Sequence, residues 1–194
     1  MALVLGLGNP GARYERTRHN VGVRVVEALA RRWKARPAET APEYRAWEAA
    51  PGGRAVSLVR TRTYMHESGL ALAAWRARHP LEVAELLVVA DDVYLTVGVV
   101  RLRAGGSSGG HRGLESIGEA LGSWEFARLR IGVGEAPGEA LREHVLDEFG
   151  EAEESEVTEA VVAAADAVEC WVGEGLLAAM NRFNRRVGKE DSEP

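Results

Sequence analysis

Runs of apolar residues and stretches of helical periodicity divide this chain into alternating strands and helices. Residues 2–7 form an apolar run of strand length, and residues 85–90 form the clearest buried strand. From Asn20, apolar side chains recur at helical spacing as far as Trp33, which predicts a helix with Asn20 as its N-cap. Long apolar strands that alternate with helices predict an α/β fold in which helices flank a central sheet.

The remaining elements follow from the same periodicities. Residues 44–49 and 55–60 predict two strands joined by a turn at Pro51-Gly52-Gly53, and such a hairpin makes the sheet mixed. Residues 38–43 are interpreted as a loop. Further strands are predicted at 99–103 and 128–133, and further helices at 67–78, 114–121, 138–149, 151–173 and 175–186.

The composition indicates a globular protein of one domain. A chain of 194 residues with 46 % hydrophobic residues is typical of one globular domain, which we expect over 1–187, with a polar C-terminal tail over 188–194. The sequence has no apolar run of membrane-spanning length, so we expect no membrane partner. The single Cys170 fits a reducing compartment, and we expect the protein to be cytoplasmic.

Charge argues against one class of partner. The formal net charge of −5 disfavours unselective binding to nucleic acid, although it leaves room for a local basic patch. Arg101 and Arg103 on one predicted strand, and Arg128 and Arg130 on another, would each share a strand face because side chains alternate. If the two strands are neighbours, these arginines could clamp a phosphate; solvated charges at a strand edge are the alternative.

Two glycine-rich segments come close to phosphate-binding motifs. Gly6-Leu7-Gly8-Asn9-Pro10-Gly11 fits the glycine pattern of a dinucleotide site, but a polar stretch separates it from the first helix, which counts against that fold. Residues 105–110 have the glycine spacing of a P-loop, yet His111 and Arg112 stand where lysine and a hydroxyl residue are required. The second loop can still present backbone N–H groups to an anionic or carbonyl ligand.

Polar residues follow the predicted strands at Asn9, His66, Asp91 and His111. Ligands of α/β sheets bind beyond the carboxyl ends of strands, so these residues mark a candidate site. A histidine oriented by a carboxylate can act as a general base near neutral pH. The serines of residues 105–110 match G-x-S-x-G in spacing but lie in a long loop and not at the sharp strand-to-helix turn of a nucleophile elbow, and the sequence has no HExxH motif. We therefore predict hydrolysis by water that His19 activates. A purely structural loop histidine is the alternative.

Several blocks of the chain are similar to one family. The chain resembles the bacterial peptidyl-tRNA hydrolases over nearly its whole length. The blocks that carry the resemblance are Gly8-Asn9-Pro10-Gly11, Tyr14, Thr17-Arg18-His19-Asn20-Val21-Gly22, Thr63-Tyr64-Met65-His66-Glu67-Ser68-Gly69, Asp91-Asp92, Gly105 to Gly113, Arg128-Leu129-Arg130-Ile131-Gly132-Val133-Gly134 and Met180-Asn181-Arg182-Phe183-Asn184.

The resemblance implies an activity and a fold. It implies cleavage of the ester that joins a peptide to tRNA, so the partner would be peptidyl-tRNA, bound by its acceptor end and its peptide. It implies a monomer with a twisted mixed sheet and with neither metal nor cofactor. His19 would activate water, Asp91 would keep His19 in its basic form, and Asn9 would lie beside the substrate.

The resemblance also implies binding residues. Tyr14 and Tyr64 match positions that line the cleft for the tRNA end and the peptide. Arg103 and Arg130 match basic residues that clamp a tRNA phosphate.

Two positions depart from the family pattern, because His66 and Arg112 stand where the family usually has asparagine. An asparagine amide both donates and accepts hydrogen bonds, whereas Arg112 can only donate. Arg112 could therefore stabilise a developing oxyanion but could not accept a proton from water. The two departures keep open a second hypothesis, a non-catalytic RNA-binding relative with the same fold.

Overall fold

The computed structural model describes residues 1–136 and 138–184. Seven strands and six helices account for most of these residues. The strands are β1 (Ala2–Gly6), β2 (Arg36–Thr40), β3 (Tyr44–Ala49), β4 (Val56–Thr61), β5 (Leu86–Asp92), β6 (Val100–Arg103) and β7 (Ala127–Gly132). The helices are α1 (Val21–Arg32), α2 (Ser68–Arg76), α3 (Arg112–Leu121), α4 (Leu141–Leu146), α5 (Glu151–Glu174) and α6 (Leu176–Phe183).

The strands form one mixed sheet in the order β2-β3-β4-β1-β5-β7-β6. The central strands β4, β1, β5 and β7 are parallel to one another, whereas β2, β3 and β6 pair antiparallel with their neighbours. The predicted hairpin is present as β3 and β4. Because both faces of the central strands are covered, β5 is buried along its whole length. These observations confirm the predicted α/β class and the mixed sheet.

Helices cover the two faces of the sheet unequally. Helices α1, α5 and α6 enclose one apolar cluster, to which β1, β5 and β7 contribute Val4, Val89 and Leu129. Helices α2 and α3 enclose the other cluster, to which β1 and β5 contribute Leu5 and Val88. The Asn184 amide donates to Leu102 O and accepts from Leu102 N–H, which caps the open edge of β6.

Two predicted elements were wrong, and each error has a local cause. Residues 36–40 form the edge strand β2, although 38–43 were interpreted as a loop; β2 is exposed and lacks apolar alternation, and an edge strand tolerates Pro37. The helix predicted at 138–149 is the shorter α4, because Glu148 leaves it to pair with Thr17 in a β-bridge. The predicted tail at 188–194 lies outside the described residues.

A close contact between α1 and the sheet positions the loop that precedes the helix. A Cβ atom on Gly22 would lie 2.3 Å from Val89 O, and one on Gly6 would lie 2.5 Å from Gly22 O. Glycine at both positions therefore lets the start of α1 rest directly on β1 and β5. His19 precedes this contact by three residues, so the contact holds it beside the end of β5.

None of the helices in the described residues combines the length and the hydropathy that crossing a membrane requires.

Candidate active site

His19 and Asp91 form a direct hydrogen-bonded pair at the carboxyl end of β5. The Nδ1 atom of His19 lies 2.8 Å from Asp91 Oδ1 and 2.9 Å from Asp91 Oδ2. Because an ionised carboxylate only accepts hydrogen bonds, this contact places the proton on Nδ1. The Nε2 atom of His19 is then left with a lone pair, and His19 lines a cleft of about 570 Å³.

A second histidine completes the surroundings of the carboxylate. The Nδ1 atom of His111 accepts hydrogen bonds from the backbone N–H groups of Gly113 and Leu114, at 3.1 and 3.2 Å. That acceptor role puts the His111 proton on Nε2, which donates to Asp91 Oδ1 at 2.9 Å. The sequence analysis named His111 among the residues that follow strands but gave it no role. Its position as the N-cap residue of α3 is the signal that could have indicated a role.

The two imidazoles control the ionisation of the carboxylate. Burial raises the pKa of Asp91, but the nearby His19 and His111 and their hydrogen bonds outweigh burial and hold that pKa well below its ordinary value. Asp91 is therefore a carboxylate near neutral pH. An ionised acceptor keeps His19 in the tautomer that can take up a proton at Nε2.

Three hydrogen bonds fix Asn9, which lies in the loop after β1. Its backbone N–H donates to Asn20 Oδ1 at 2.8 Å, and its backbone oxygen accepts from Asn20 Nδ2 at 3.0 Å. Its side-chain Oδ1 accepts from the backbone N–H of Met65 at 2.8 Å. With Oδ1 engaged, the N–H groups of Nδ2 are what the Asn9 amide can offer to a ligand.

Asn20 and Arg18 are supporting residues that the sequence did not assign to this role. Asn20 is the residue before α1 as predicted, but its side chain binds Asn9 instead of capping the helix. Arg18 is buried and donates to Val133 O and to both carboxylate oxygens of Glu153, at 2.7–3.0 Å. These hydrogen bonds anchor the segment that carries His19 to the start of α5.

The cleft above His19 has a volume of about 570 Å³ and brings together most of the predicted binding residues. Tyr14, Tyr64, His66 and Arg112 all line it, together with Asn9. The rings of Tyr64 and His66 are nearly parallel, with centroids 6.2 Å apart. Apolar side chains of α4 form part of the opposite wall, namely Leu141, Val145 and Leu146. The cleft therefore combines aromatic, apolar and cationic surfaces around one imidazole.

The arginines on β6 and β7 share one sheet face but differ in their surroundings. Arg101 pairs with Arg130, and Arg103 pairs with Arg128. Arg128 is buried beneath the glycine loop, where it donates to Gly106 O, Ser107 O and Trp124 O. Arg130 donates to Asp92 Oδ2 at 3.0 Å and to two loop carbonyls. Arg103 is exposed, so it is the most available of the predicted pair, Arg103 and Arg130, for a phosphate.

The glycine loop reaches the site by a route that the sequence did not indicate. Because β6 runs antiparallel to β7, the loop that follows Arg103 starts at the opposite end of the sheet from Asp91. It returns along the face of β7, held by Arg128 and Arg130, and delivers His111 to Asp91. The expectation that His111 lies beyond the carboxyl end of the strand that it follows is therefore wrong, because the carboxyl end of β6 lies away from Asp91.

The two histidines and the carboxylate at the centre of the site are residue types that can bind a metal ion. Within 1–136 and 138–184, His19, Asp91 and His111 each offer one ligand atom, and these atoms lie within 4.8 Å of one another. In the hydrogen-bonded arrangement the two histidines donate N–H groups to the carboxylate, so a metal ion would have to displace both protons.

Comparisons with known proteins agree with one another. The model of the family described as "Peptidyl-tRNA hydrolase" matches residues 3–192. A peptidyl-tRNA hydrolase of Syntrophomonas wolfei is 44 % identical over 95 % of this chain and 100 % of its own length. One from Chloroflexus aggregans is 47 % identical over 95 % of this chain and 99 % of its own.

The fold leads to the same group of proteins. A crystal structure of peptidyl-tRNA hydrolase from Acinetobacter baumannii superposes with a TM-score of 0.89 at 33 % identity, covering 95 % of this chain and 94 % of that one. The family model and the relatives align with almost the entire sequence, and the crystal structure superposes on 95 % of this chain. The chain therefore belongs to the peptidyl-tRNA hydrolase family.

Proposed function

We propose that this protein hydrolyses the ester bond between a peptide and tRNA, and that His19 activates the attacking water. The observation that carries the proposal is the contact of His19 Nδ1 with both oxygens of buried Asp91, which leaves Nε2 as an acceptor beside the cleft. Family membership supports the choice of an ester in peptidyl-tRNA as the substrate.

The reaction needs one base and no protein nucleophile. His19 Nε2 takes a proton from water, and the water oxygen attacks the carbonyl carbon of the ester. Asp91 stabilises the imidazolium that forms. When the tetrahedral intermediate collapses, the bond between the carbonyl carbon and the ribose oxygen breaks, and His19 returns the proton to that oxygen. The products are a free peptide and tRNA.

The intermediate carries negative charge on the former carbonyl oxygen, and the cleft supplies candidate donors for it. Asn9 offers its Nδ2 amide because its Oδ1 is engaged by Met65 N–H. Arg112 lines the same cleft as an exposed guanidinium, and His66 lies beside it. Donors that already face the position where charge develops lower the barrier without reorganisation. In this proposal Arg112 replaces the donor function of the family's asparagine but not its acceptor function.

The remaining parts of the proposal concern binding and location. Tyr14 and Tyr64 hold the tRNA end and the first residues of the peptide, and Arg103 and Arg130 bind a tRNA phosphate. The proposed active form is a monomer, as the resemblance to the family implies. Peptidyl-tRNA is produced by ribosomes, so the proposed location is the cytoplasm.

A hydrolysis assay distinguishes this proposal from the alternative of a non-catalytic RNA-binding relative. Excess protein is mixed with N-acetyl-aminoacyl-tRNA, and both bound tRNA and released N-acetyl amino acid are measured in a single turnover. We expect release to follow binding. Tight binding without release above the uncatalysed rate would favour the non-catalytic relative, whose motivation is the replacement of two asparagines by His66 and Arg112.

A further inference from the structure

A second lobe of the cleft, with a volume of about 60 Å³, adjoins the active site. Its lining includes Asp92, Tyr94, Ser108, Gly109 and Arg130. It shares Gly110 and Leu141 with the large cleft above His19, so the two lobes are neighbours across these residues. The large lobe combines aromatic, apolar and cationic side chains, whereas the second lobe places Tyr94 and Arg130 beside the glycine loop and reaches Asp91 and His111.

The aromatic ring of this lobe is unusually exposed. Tyr94 is 65 % exposed, more than any other Tyr, Trp or Phe in the described residues. Scattered exposed apolar residues are common on protein surfaces, so exposure by itself indicates nothing. The surroundings of Tyr94 distinguish it from such residues.

The backbone beneath Tyr94 is held rigidly. Its N–H donates to Asp92 Oδ1 at 2.9 Å, and the other oxygen of this carboxylate accepts from Arg130 Nη1 at 3.0 Å. One buried carboxylate thus fixes both the aromatic residue and the cation of the lobe.

The following turn is equally well packed. Leu95 is buried, its backbone oxygen accepts from Gly134 N–H, and a Cβ atom on Gly132 would lie 1.9 Å from Thr96 O. A large ring displayed on a rigid backbone can bind a flat partner at little cost in conformational entropy.

We propose that Tyr94 is a stacking platform for an unpaired RNA base on the 5′ side of the esterified nucleotide. Single-stranded RNA is bound by aromatic rings on which bases stack, combined with nearby cations. The inference rests on the proposed function, which puts the esterified nucleotide at His19 in the large lobe. The neighbouring lobe is then where the preceding nucleotide lies.

Binding of uncharged RNA tests this inference independently of catalysis. Two RNA hairpins with the same stem are used, one with an unpaired 3′ extension and one with a blunt end, and their dissociation constants are measured by fluorescence anisotropy. We expect Tyr94→Ala to raise the dissociation constant of the extended hairpin about five-fold or more, because a stacked base contributes that much to binding. Tyr94→Phe should bind it within about two-fold of the wild type, since the ring is retained.

The controls separate stacking from other effects. Leu177→Ala removes an equally exposed apolar side chain on α6 and should change neither dissociation constant. A 2-aminopurine placed next to the 3′-terminal nucleotide should be quenched on binding to the wild type and not on binding to Tyr94→Ala.

Three results would overturn the inference: equal weakening of both hairpins by Tyr94→Ala, no weakening of the extended one, or equal losses in Tyr94→Phe and Tyr94→Ala. If the protein binds RNA through Tyr94 but fails to release N-acetyl amino acid from charged tRNA, then the hydrolase proposal fails and the stacking platform stands.

Discussion

At the scale of single residues, the proposed chemistry depends on one buried carboxylate, Asp91, which accepts hydrogen bonds from His19 and His111. His19 and Asp91 could be predicted because a histidine after a glycine turn and an acid at the end of a buried strand have few roles in common other than proton transfer. The role of His111 depends on two backbone N–H groups of α3 that fix its tautomer, and sequence spacing does not reveal such hydrogen bonds. For the same reason Asn20 was interpreted as a cap although its amide holds Asn9.

The carboxylate makes a testable contribution to catalysis. Asp91→Asn puts an amide against His19 Nδ1, so the amide can present N–H groups and favour the tautomer with the proton on Nε2. We expect kcat for N-acetyl-aminoacyl-tRNA to fall by about 10²–10⁴-fold, the size of a general-base contribution. Asp166→Asn, which alters an exposed acid on α5, should leave kcat unchanged. A kcat close to that of the wild type for Asp91→Asn would contradict the orienting role of Asp91.

At the scale of elements, apolar periodicity predicted the buried strands and long helices, while the edge strand β2 was missed. Strand β2 is exposed and contains Pro37, so its pairing with β3 depends on tertiary contacts that periodicity does not record. Glycines are informative at this scale for a different reason. Gly6 belongs to a segment that fits a dinucleotide-binding motif, but together with Gly22 it allows β1 and α1 to pack backbone to backbone.

This close packing predicts that one added methyl group lowers the stability of the fold. Gly22→Ala would put a Cβ atom 2.3 Å from Val89 O, and relieving this overlap should lower the free energy of unfolding by about 1–3 kcal/mol. The same substitution at Gly173, where nothing lies within 4 Å of the added atom, should be neutral or slightly stabilising because alanine favours the helix. Urea denaturation measures the free energy of unfolding of both variants. Equal values would contradict the claim that close packing requires glycine at position 22.

A polar cluster at the β2 edge of the sheet predicts a dependence of stability on pH. Hydrogen bonds from Tyr44 and then His79 hold the pKa of Glu39 below its ordinary value, and His79 Nε2 lies 2.9 Å from its carboxylate. A depressed pKa means that ionised Glu39 stabilises the folded state above the ordinary glutamate pKa, and that this contribution is lost as the pH falls through the folded value.

The variant Glu39→Gln should therefore be less stable than the wild type at neutral pH, and the difference should shrink below about pH 4. Thermal melts at a series of pH values measure it, with the exposed Glu159→Gln as the control. A difference that is constant with pH would mean that the ionisation of Glu39 does not contribute.

At the scale of the whole molecule, an acidic protein is proposed to bind a polyanion, so the arrangement of charge matters more than its sum. The formal net charge is −5, yet the large cleft is lined by Arg13, Arg112 and Arg142, and Arg103 lies exposed on β6. The sequence could not show whether the two strands that carry these arginines are neighbours, because the pairing of β6 with β7 depends on the tertiary fold.

Salt dependence of tRNA binding tests this arrangement. Each phosphate contact contributes about one unit to the slope of log K against log salt concentration, so Arg103→Ala should reduce the slope by about one. Arg130→Ala should reduce it as well and should also lower stability, because Arg130 holds Asp92 and the glycine loop. Arg76→Ala, an exposed arginine on α2, is the control. An unchanged slope for Arg103→Ala would mean that Arg103 does not contact a phosphate.

The central claim is that the imidazole of His19 activates water at the ester, and the cleavage rate of His19→Ala tests it most directly. The rate of release of N-acetyl amino acid is measured at a saturating concentration of N-acetyl-aminoacyl-tRNA for this variant and for the wild type. The dissociation constant of tRNA is measured for both proteins as well. A rate lower by about 10²–10⁴-fold with unchanged tRNA affinity is the predicted result. A variant that cleaves the ester at the wild-type rate would contradict the claim.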